Sequence, residues 1–343
     1  MRRGVARKDH IIVGLDIGTT KTRAIVAEAR DDGKAHVIGV GTSPSRGLRK
    51  GVVVNIESTV ESIRRAVDEA EMKSGTQINS VHVGIAGSHI KGLNSEAAVE
   101  VKSGEVVRSD VTRSVKAARA AAIVPPDHRV LHVLPRGFVL DQQDGIRDPL
   151  AMSGAHLKVN VHIITGAMTA IQNLVKSVER AELDVVGIIL QPLASSEAVL
   201  TDDELIDVPS MGGRPSRSLS RRVLADVIEP RAEEVFDLVA REIKRAGYEG
   251  IVAGGVVITG GTSLMEGMPD MAERVLDLPA RRGYPCGVGG IREQVDNPMY
   301  ATGVGLILHA LHHQDDLALN GRRSRRGLWR TVDNMKGWFR EFF

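Results

Sequence analysis

Residues 12–22 read IVGLDIGTTKT. An apolar run delivers Asp16 to the end of a strand, and Gly18, Thr19 and Thr20 form a tight turn into a second strand. Successive backbone N–H groups in such a turn make an anion-binding concavity, and glycine lets a phosphate approach the chain closely. The threonine hydroxyls add donors and Lys21 adds positive charge. Asp16 is placed to hold Mg²⁺ through water. The same residues also suit a plain hairpin turn, because D-x-G-T alone is common.

Far along the chain, residues 256–267 read VVITGGTSLMEG: a strand, the pair Gly260–Gly261, and a turn into a helix. Paired glycines at the C-terminal end of a strand let a flat ligand lie on the backbone. They equally suit any close strand–helix contact. Two such motifs at opposite ends of an α/β chain are stronger together than either alone.

Between them, residues 55–75 predict a helix, with Asn55 as N-cap, Ile56, Val60, Ile63 and Val67 at spacings of three and four, and Gly75 as its stop. Residues 80–87 read as a buried strand, so the opening is three strands, a helix and a strand. From about Ser88 to Ile163 the texture changes to a short helix stopped by Pro125 and Pro126 and two strand-like runs, which predicts an inserted α/β subdomain. Helix, strand and helix follow over 169–200. A long helix is expected over 221–247, a shorter one over 269–278, and another from 297.

The 343 residues are 42% apolar and 26% charged, ordinary for a globular protein, with room for two domains. Aromatics are 3%, so the core must be aliphatic. With 45 basic against 43 acidic residues, the charge balance gives no reason to expect nucleic acid as a partner. The single cysteine, Cys286, fits a reducing compartment. The basic start is followed by an apolar run too short for an export signal. No stretch reaches the ~18 apolar residues of a membrane span, so the bulk is expected to be cytoplasmic.

IVGLDIGTTKT, VVITGGTSLMEG and NPMYATGVGL (297–306), in that order, resemble the actin-like ATPases, and within them the chain resembles the FtsA family of bacterial cell-division actin homologues. The matching stretches include NIESTVESIRRAVDEAE (55–71), VHVGIAGSHI (81–90), TGAMTAIQNLVKSVERAEL (165–183), LQPLASSEAVL (190–200), VPSMGGRPSRSLSRRVLADVIEPR (208–231) and NMKGWFREFF (334–343). The resemblance implies a two-lobed actin-like (ribonuclease-H-like) α/β fold. Its expected parts are subdomain 1A over 1–87, an inserted 1C-type subdomain over 88–163, a return to the first lobe over 164–204, a truncated second lobe over 205–311, a polar basic linker over 312–327 and an amphipathic helix over 328–343. It implies ATP with Mg²⁺, held by Asp16, Gly18, Thr19, Thr20 and Lys21 on one side and Gly260, Gly261 and Thr262 on the other.

One departure stands out. Between SSEAVLTDDE and LIDVPSMGG the family has several tens more residues, including a second phosphate loop of the D-I-G-G-G-T-T-D type; here Glu204 runs directly into Leu205. Losing two or three charge-assisted bonds at ~1.5–3 kcal/mol each would lower nucleotide affinity by roughly two orders of magnitude or more. ATP turnover near background is expected.

Both tryptophans and three of the five phenylalanines lie within GLWRTVDNMKGWFREFF (327–343). At about 100° per residue, Leu328, Val332, Met335, Phe339 and Phe342 share one stripe, flanked by Trp338 and Phe343 with Trp329 at its margin. Arg330, Asp333, Arg340 and Glu341 face away, and RRSRR (322–326) lies just upstream. Aromatic anchors with basic flanks describe a helix lying in an anionic leaflet. The other reading is a helix docked on the protein's own core, against which the polar linker argues.

The resemblance implies a scaffold at the cytoplasmic face of the membrane at the division site. It would tether FtsZ polymers, self-associate into filaments and recruit downstream division proteins through residues 88–163. Arg214, Arg217, Arg221 and Arg222 are the candidates for the acidic and apolar FtsZ C-terminal peptide. Actin-fold small-molecule kinases and pilus-assembly actin homologues are the rival classes. The first needs an acceptor pocket and a catalytic carboxylate that the sequence does not display, and the second normally lacks the tail.

Overall fold

The structure, a computed structural model, describes residues 10–30, 33–199, 219–248 and 254–312. The chain opens with a meander of β1 (His10–Ile17), β2 (Lys21–Ala29) and β3 (Ala35–Pro44), then a small hairpin of β4 (Leu48–Arg49) and β5 (Val52–Val53). Helix α1 (Ile56–Ser74) begins where the Asn55 side chain accepts the Ser58 amide at 2.9 Å and ends at Gly75, the caps expected of it. Strand β6 (Ser80–Ile85) runs parallel to β1.

The insertion follows: β7 (Ile90–Glu100), α2 (Arg108–Ala121), β8 (His128–Leu140), β9 (Gln143–Ile146) and β10 (His156–Ala167). These strands form an antiparallel sheet in the order β7-β10-β8-β9. It has its own core, in which Val111 and Val115 of α2 meet Phe138, Leu157, Val159 and Val161. The chain returns through α3 (Met168–Arg180), β11 (Asp184–Leu190) and α4 (Gln191–Val199). Then come α5 (Leu219–Arg245), β12 (Val256–Ile258), a 3₁₀ turn over Gly261–Leu264, α6 (Met268–Leu276), β13 (Ala280–Arg282), β14 (Val288–Gly290), 3₁₀ turns over Arg292–Gln294 and Pro298–Tyr300, and α7 (Ala301–His312).

The main sheet has the order β11-β6-β1-β2-β3-β14. Alternation sends the two faces of β1 to different cores. Val13 and Leu15 pack with Val60 and Ile63 of α1 and Ile171 and Leu174 of α3. Ile12 packs with Ile25, Val37, and Val304 and Ile307 of α7. Residues 205–311, read from sequence as the second lobe, therefore divide. β14 pairs with β3 of the main sheet, and α7 crosses α4 against that sheet, because α7 is apolar on nearly every side and needs cover all round. The remaining described elements of this range are α5, α6 and the two-stranded parallel sheet β12-β13, whose Val257 packs against the α7 side of the main sheet. Where α4 and α7 cross, a Cβ on Gly305 would lie 1.7 Å from the Ala194 carbonyl oxygen, so the backbones approach as only glycine allows.

Candidate functional site

Asp16 is the penultimate residue of β1 and lies directly across the hairpin from Arg23 of β2, so the two side chains share a sheet face. It is the face that α4 and α7 cover, since the neighbouring Ile25 belongs to their core. Asp16 is 6% exposed. Its Oδ1 accepts a hydrogen bond from Gln191 Nε2 at 2.9 Å, and its Oδ2 lies 3.7 Å from Arg23 Nη1. Gln191 opens α4 immediately after β11. The site thus gathers at the C-terminal ends of β1 and β11, on the same edge of parallel strands where ligands bind in open α/β sheets.

Burial pushes the Asp16 carboxyl up to about 6, against the opposing pull of Arg23. A carboxyl with a raised folded pKa contributes stability only while protonated, and that contribution fades as pH rises through the folded value. In Asp16→Asn the fading is absent. The stability difference between Asp16→Asn and the parent should shift in favour of the variant by about 1 kcal/mol between pH 5 and pH 7.5. Urea denaturation of both proteins at the two pH values reads this directly. A pH-independent difference would show that the carboxyl titrates normally.

The phosphate turn itself is tighter than the sequence reading allowed. The Gly18 amide donates to Lys21 O at 3.1 Å, and a Cβ on Gly18 would stand 3.0 Å from that same oxygen. The close approach at hairpin closure favours glycine here, and the Gly18 N–H is already committed. Ser45 N–H donates to Thr20 O at 2.9 Å and fixes the turn against β3. Thr19, Thr20 and Lys21 stand exposed at its tip.

At the second motif, Gly260 has φ 89°, a left-handed conformation that favours glycine. Its N–H donates to Pro298 O at 3.1 Å, and the Thr259 hydroxyl, which donates to Gly283 O at 3.0 Å, lies 3.3 Å from the same Pro298 carbonyl. Ser263 Oγ donates back to Gly260 O at 2.8 Å. Gly261 and Thr262 are exposed, and a Cβ on Gly261 would meet no atom within 4 Å, so the glycine pair opens onto clear space.

Tyr300 joins the motifs. It follows Pro298 in the same 3₁₀ turn, and the Arg23 guanidinium stacks over its ring at 5.3 Å. Contacts therefore run from Asp16 through Arg23, Tyr300 and Pro298 to Gly260. The Arg23 side chain is 13% exposed, and its Nε is buried without a hydrogen-bond partner among the described residues. A nearly buried cation with one long ion pair and an unmet donor is incompletely compensated. A phosphate-bearing ligand with its cation is chemically suited to complete such a site. Among the described residues no group of three or more His, Cys, Asp or Glu side chains is placed to hold a metal alone.

Sequence reasoning missed Gln191, Arg23 and Tyr300. Gln191 and Tyr300 stand inside the matching stretches, LQPLASSEAVL and NPMYATGVGL, but neither carries a signal of its partner. Of the FtsZ candidates, Arg214 and Arg217 lie outside the described residues, and Arg221 and Arg222 lie on α5 with side chains outside the description. Leu328, Trp329, Val332, Met335, Trp338, Phe339, Phe342 and Phe343 also lie outside it. No described helix is long and apolar enough to cross a membrane.

A family model described as "SHS2 domain inserted in FTSA" matches residues 87–165, and one described as "Cell division protein FtsA" matches residues 193–305. The chain is 43% identical to cell division protein FtsA of Pseudomonas aeruginosa over 89% of this chain and 90% of that protein. It is 36% identical to that of Neisseria meningitidis, over 96% and 98%, and 33% identical to that of Escherichia coli K12, over 97% and 98%. The Pseudomonas alignment spans 378 positions, of which the aligned 89% of 343 residues fills about 305, so roughly 70 positions face gaps in this chain. Among solved structures, a PilM–PilN type IV pilus biogenesis complex superposes with a TM-score of 0.59 over 88% of this chain and 98% of that one, at 15% identity. That likeness is one of fold, the actin-like ATPase fold.

Proposed function

Because this chain belongs to the FtsA family of cell division proteins, we propose that it is a division-site scaffold tethering FtsZ polymers to the inner face of the cytoplasmic membrane. The observation that carries this is the extent of the likeness. An alignment taking in 97% of the chain leaves about ten residues unaligned, fewer than the sixteen of the amphipathic segment 328–343. The insertion and at least part of segment 328–343 thus fall within the likeness, and a small-molecule kinase would need neither.

In this reading Thr19, Thr20 and Lys21 would hold the phosphates of ATP, Asp16 would hold Mg²⁺ through water, and Gly260, Gly261 and Thr262 would bear the adenosine. When bound, the magnesium nucleotide would supply the charge that these residues leave unbalanced. The residues themselves bind and orient. Arg23 balances Asp16, Gln191 fixes the carboxylate rotamer, and Tyr300 holds Arg23 in place. Binding is weak and turnover near background, because the second phosphate loop is missing.

FtsZ docks through its acidic and apolar C-terminal peptide near the start of α5, where Arg214, Arg217, Arg221 and Arg222 concentrate positive charge. Self-association into filaments presents many membrane segments together, and the inserted subdomain recruits downstream division proteins. In a fluorescence-polarisation titration with the FtsZ C-terminal peptide, Arg217→Glu should weaken binding by about fivefold or more, an exposed charge pair turned repulsive. Unchanged affinity would move the peptide site elsewhere.

A further inference from the structure

The ion pair at the centre of the site is incomplete on both sides. Asp16 Oδ1 accepts from Gln191 Nε2 at 2.9 Å, but Oδ2 faces Arg23 Nη1 at 3.7 Å, longer than a hydrogen bond. Arg23 Nε is buried and has no hydrogen-bond partner among the described residues. The guanidinium rests instead on the Tyr300 ring, 5.3 Å from its centroid. A cation over an aromatic face is attracted to the ring as a whole and not to one acceptor atom. The stack therefore fixes where the guanidinium sits but not which way its donors point, and it can turn from one anion to another. Strand alternation shows where a second anion would come from. Lys21, Arg23 and Ile25 are successive residues on one face of β2, the face that Asp16 shares. Burial deepens along them: Lys21 is exposed at the tip of the turn, the Arg23 side chain is 13% exposed, and Ile25 is sealed in the core with α7. The two cations stand about 7 Å apart along the strand, within the span of a di- or triphosphate.

We infer that Arg23 is a phosphate ligand that exchanges partners: it neutralises Asp16 in the ligand-free chain and passes to a phosphate when Asp16 takes up the cation of a magnesium nucleotide. This rests on the nucleotide reading of the site given above. It makes Arg23 a rival of the metal for the carboxylate and an ally of the phosphates. Guanidinium suits both partners, because its planar fork of donors matches carboxylate and phosphate oxygens alike. With the second phosphate loop missing, Arg23 returns one charge-assisted donor to the site from β2. The exchange favours phosphate, since a contact at hydrogen-bond distance replaces a pair held at 3.7 Å. Removing the guanidinium therefore has two effects of opposite sign, tighter metal and looser nucleotide. A side chain that only fills space would not produce that pair of effects.

Equilibrium binding reads both effects without turnover. Mn²⁺ alone, followed by electron paramagnetic resonance, probes the carboxylate. ATP with saturating Mg²⁺, and adenosine, followed by titration calorimetry, probe the phosphates and the base. Arg23→Gln should tighten Mn²⁺ about threefold or more, because a neighbouring positive charge is gone. The tightened Mn²⁺ site should vanish when Asp16→Asn is added. The same Arg23→Gln chain should bind ATP about five- to tenfold more weakly and adenosine as the parent does. Arg23→Met, also uncharged, repeats the test if Arg23→Gln does not fold, with far-UV circular dichroism as the check. Arg23→Lys keeps the charge and should return Mn²⁺ affinity to that of the parent. The inference is overturned if Mn²⁺ affinity is unchanged or falls, if ATP affinity is unchanged, or if ATP and adenosine weaken together. Unchanged ATP affinity beside ordinary binding by the parent overturns the partner exchange alone. A parent that binds neither ATP nor adenosine overturns the nucleotide reading beneath it as well.

Discussion

Trp338→Glu should leave the chain in the supernatant when it is sedimented with vesicles containing anionic lipid, whereas Arg340→Lys should pellet like the parent. Covering Trp329, Trp338, Phe339, Phe342 and Phe343 at a headgroup boundary removes several hundred Å² of apolar surface at ~25 cal/mol/Å². The basic residues near an anionic surface add ~1 kcal/mol each. Ordering the segment offsets part of this, since a helix so short is marginal alone in water. The expected net is reversible binding, which a filament would strengthen by presenting many segments together. A carboxylate in place of the indole removes the largest single buried area and adds repulsion from lipid phosphates. A drop of at least about tenfold in vesicle affinity follows. Equal sedimentation of Trp338→Glu and parent would mean that the segment is no lipid anchor.

Gly305→Ala should cost the fold itself. The added methyl would sit 1.7 Å from Ala194 O and 2.3 Å from its carbonyl carbon, both backbone atoms that no rotamer change can move. Helices α4 and α7 would have to separate. Both carry site-bearing ends: Gln191 opens α4, and Tyr300 immediately precedes α7. Their crossing also aligns Ser195 Oγ with Thr302 Oγ1 at 2.9 Å and Glu197 Oε1 with His309 Nδ1 at 2.6 Å, so separation breaks polar contacts as well. Overpacking of this kind costs about 3 kcal/mol or more, a large part of an ordinary folding stability. A fall in Tm of about 4 °C or more is expected for a chain of this size, or failure to recover soluble protein. A Tm within 2 °C of the parent would show that the crossing is looser than described.

Local chemistry made much of the fold legible. Helix α1 could be drawn from Asn55, Gly75 and the spacing of Ile56, Val60, Ile63 and Val67, because cap and periodicity agree. Strand β7 could not. IKGLNSEAAVE mixes glycine, alanine and charge, and it is a strand because it pairs with β10 along its whole length. The three residues of β14 likewise owe their form to β3, far away in sequence. The site divides the same way. Asp16 and Gly260 announce themselves by position at strand ends. Arg23 and Tyr300 become informative only when folding stacks one on the other. The Gly18 amide, assigned from sequence to an anion, is spent on Lys21 O by the very turn that made it look available.

The most direct measurement of the tether is co-sedimentation of purified FtsZ with anionic vesicles, with and without this chain, at a fixed nucleotide and salt concentration. FtsZ should pellet only when chain and vesicles are both present. It should return to the supernatant when the chain carries Trp338→Glu or when FtsZ lacks its C-terminal peptide. FtsZ that stays in solution beside vesicle-bound chain, or that pellets equally with the Trp338→Glu chain, would contradict the account.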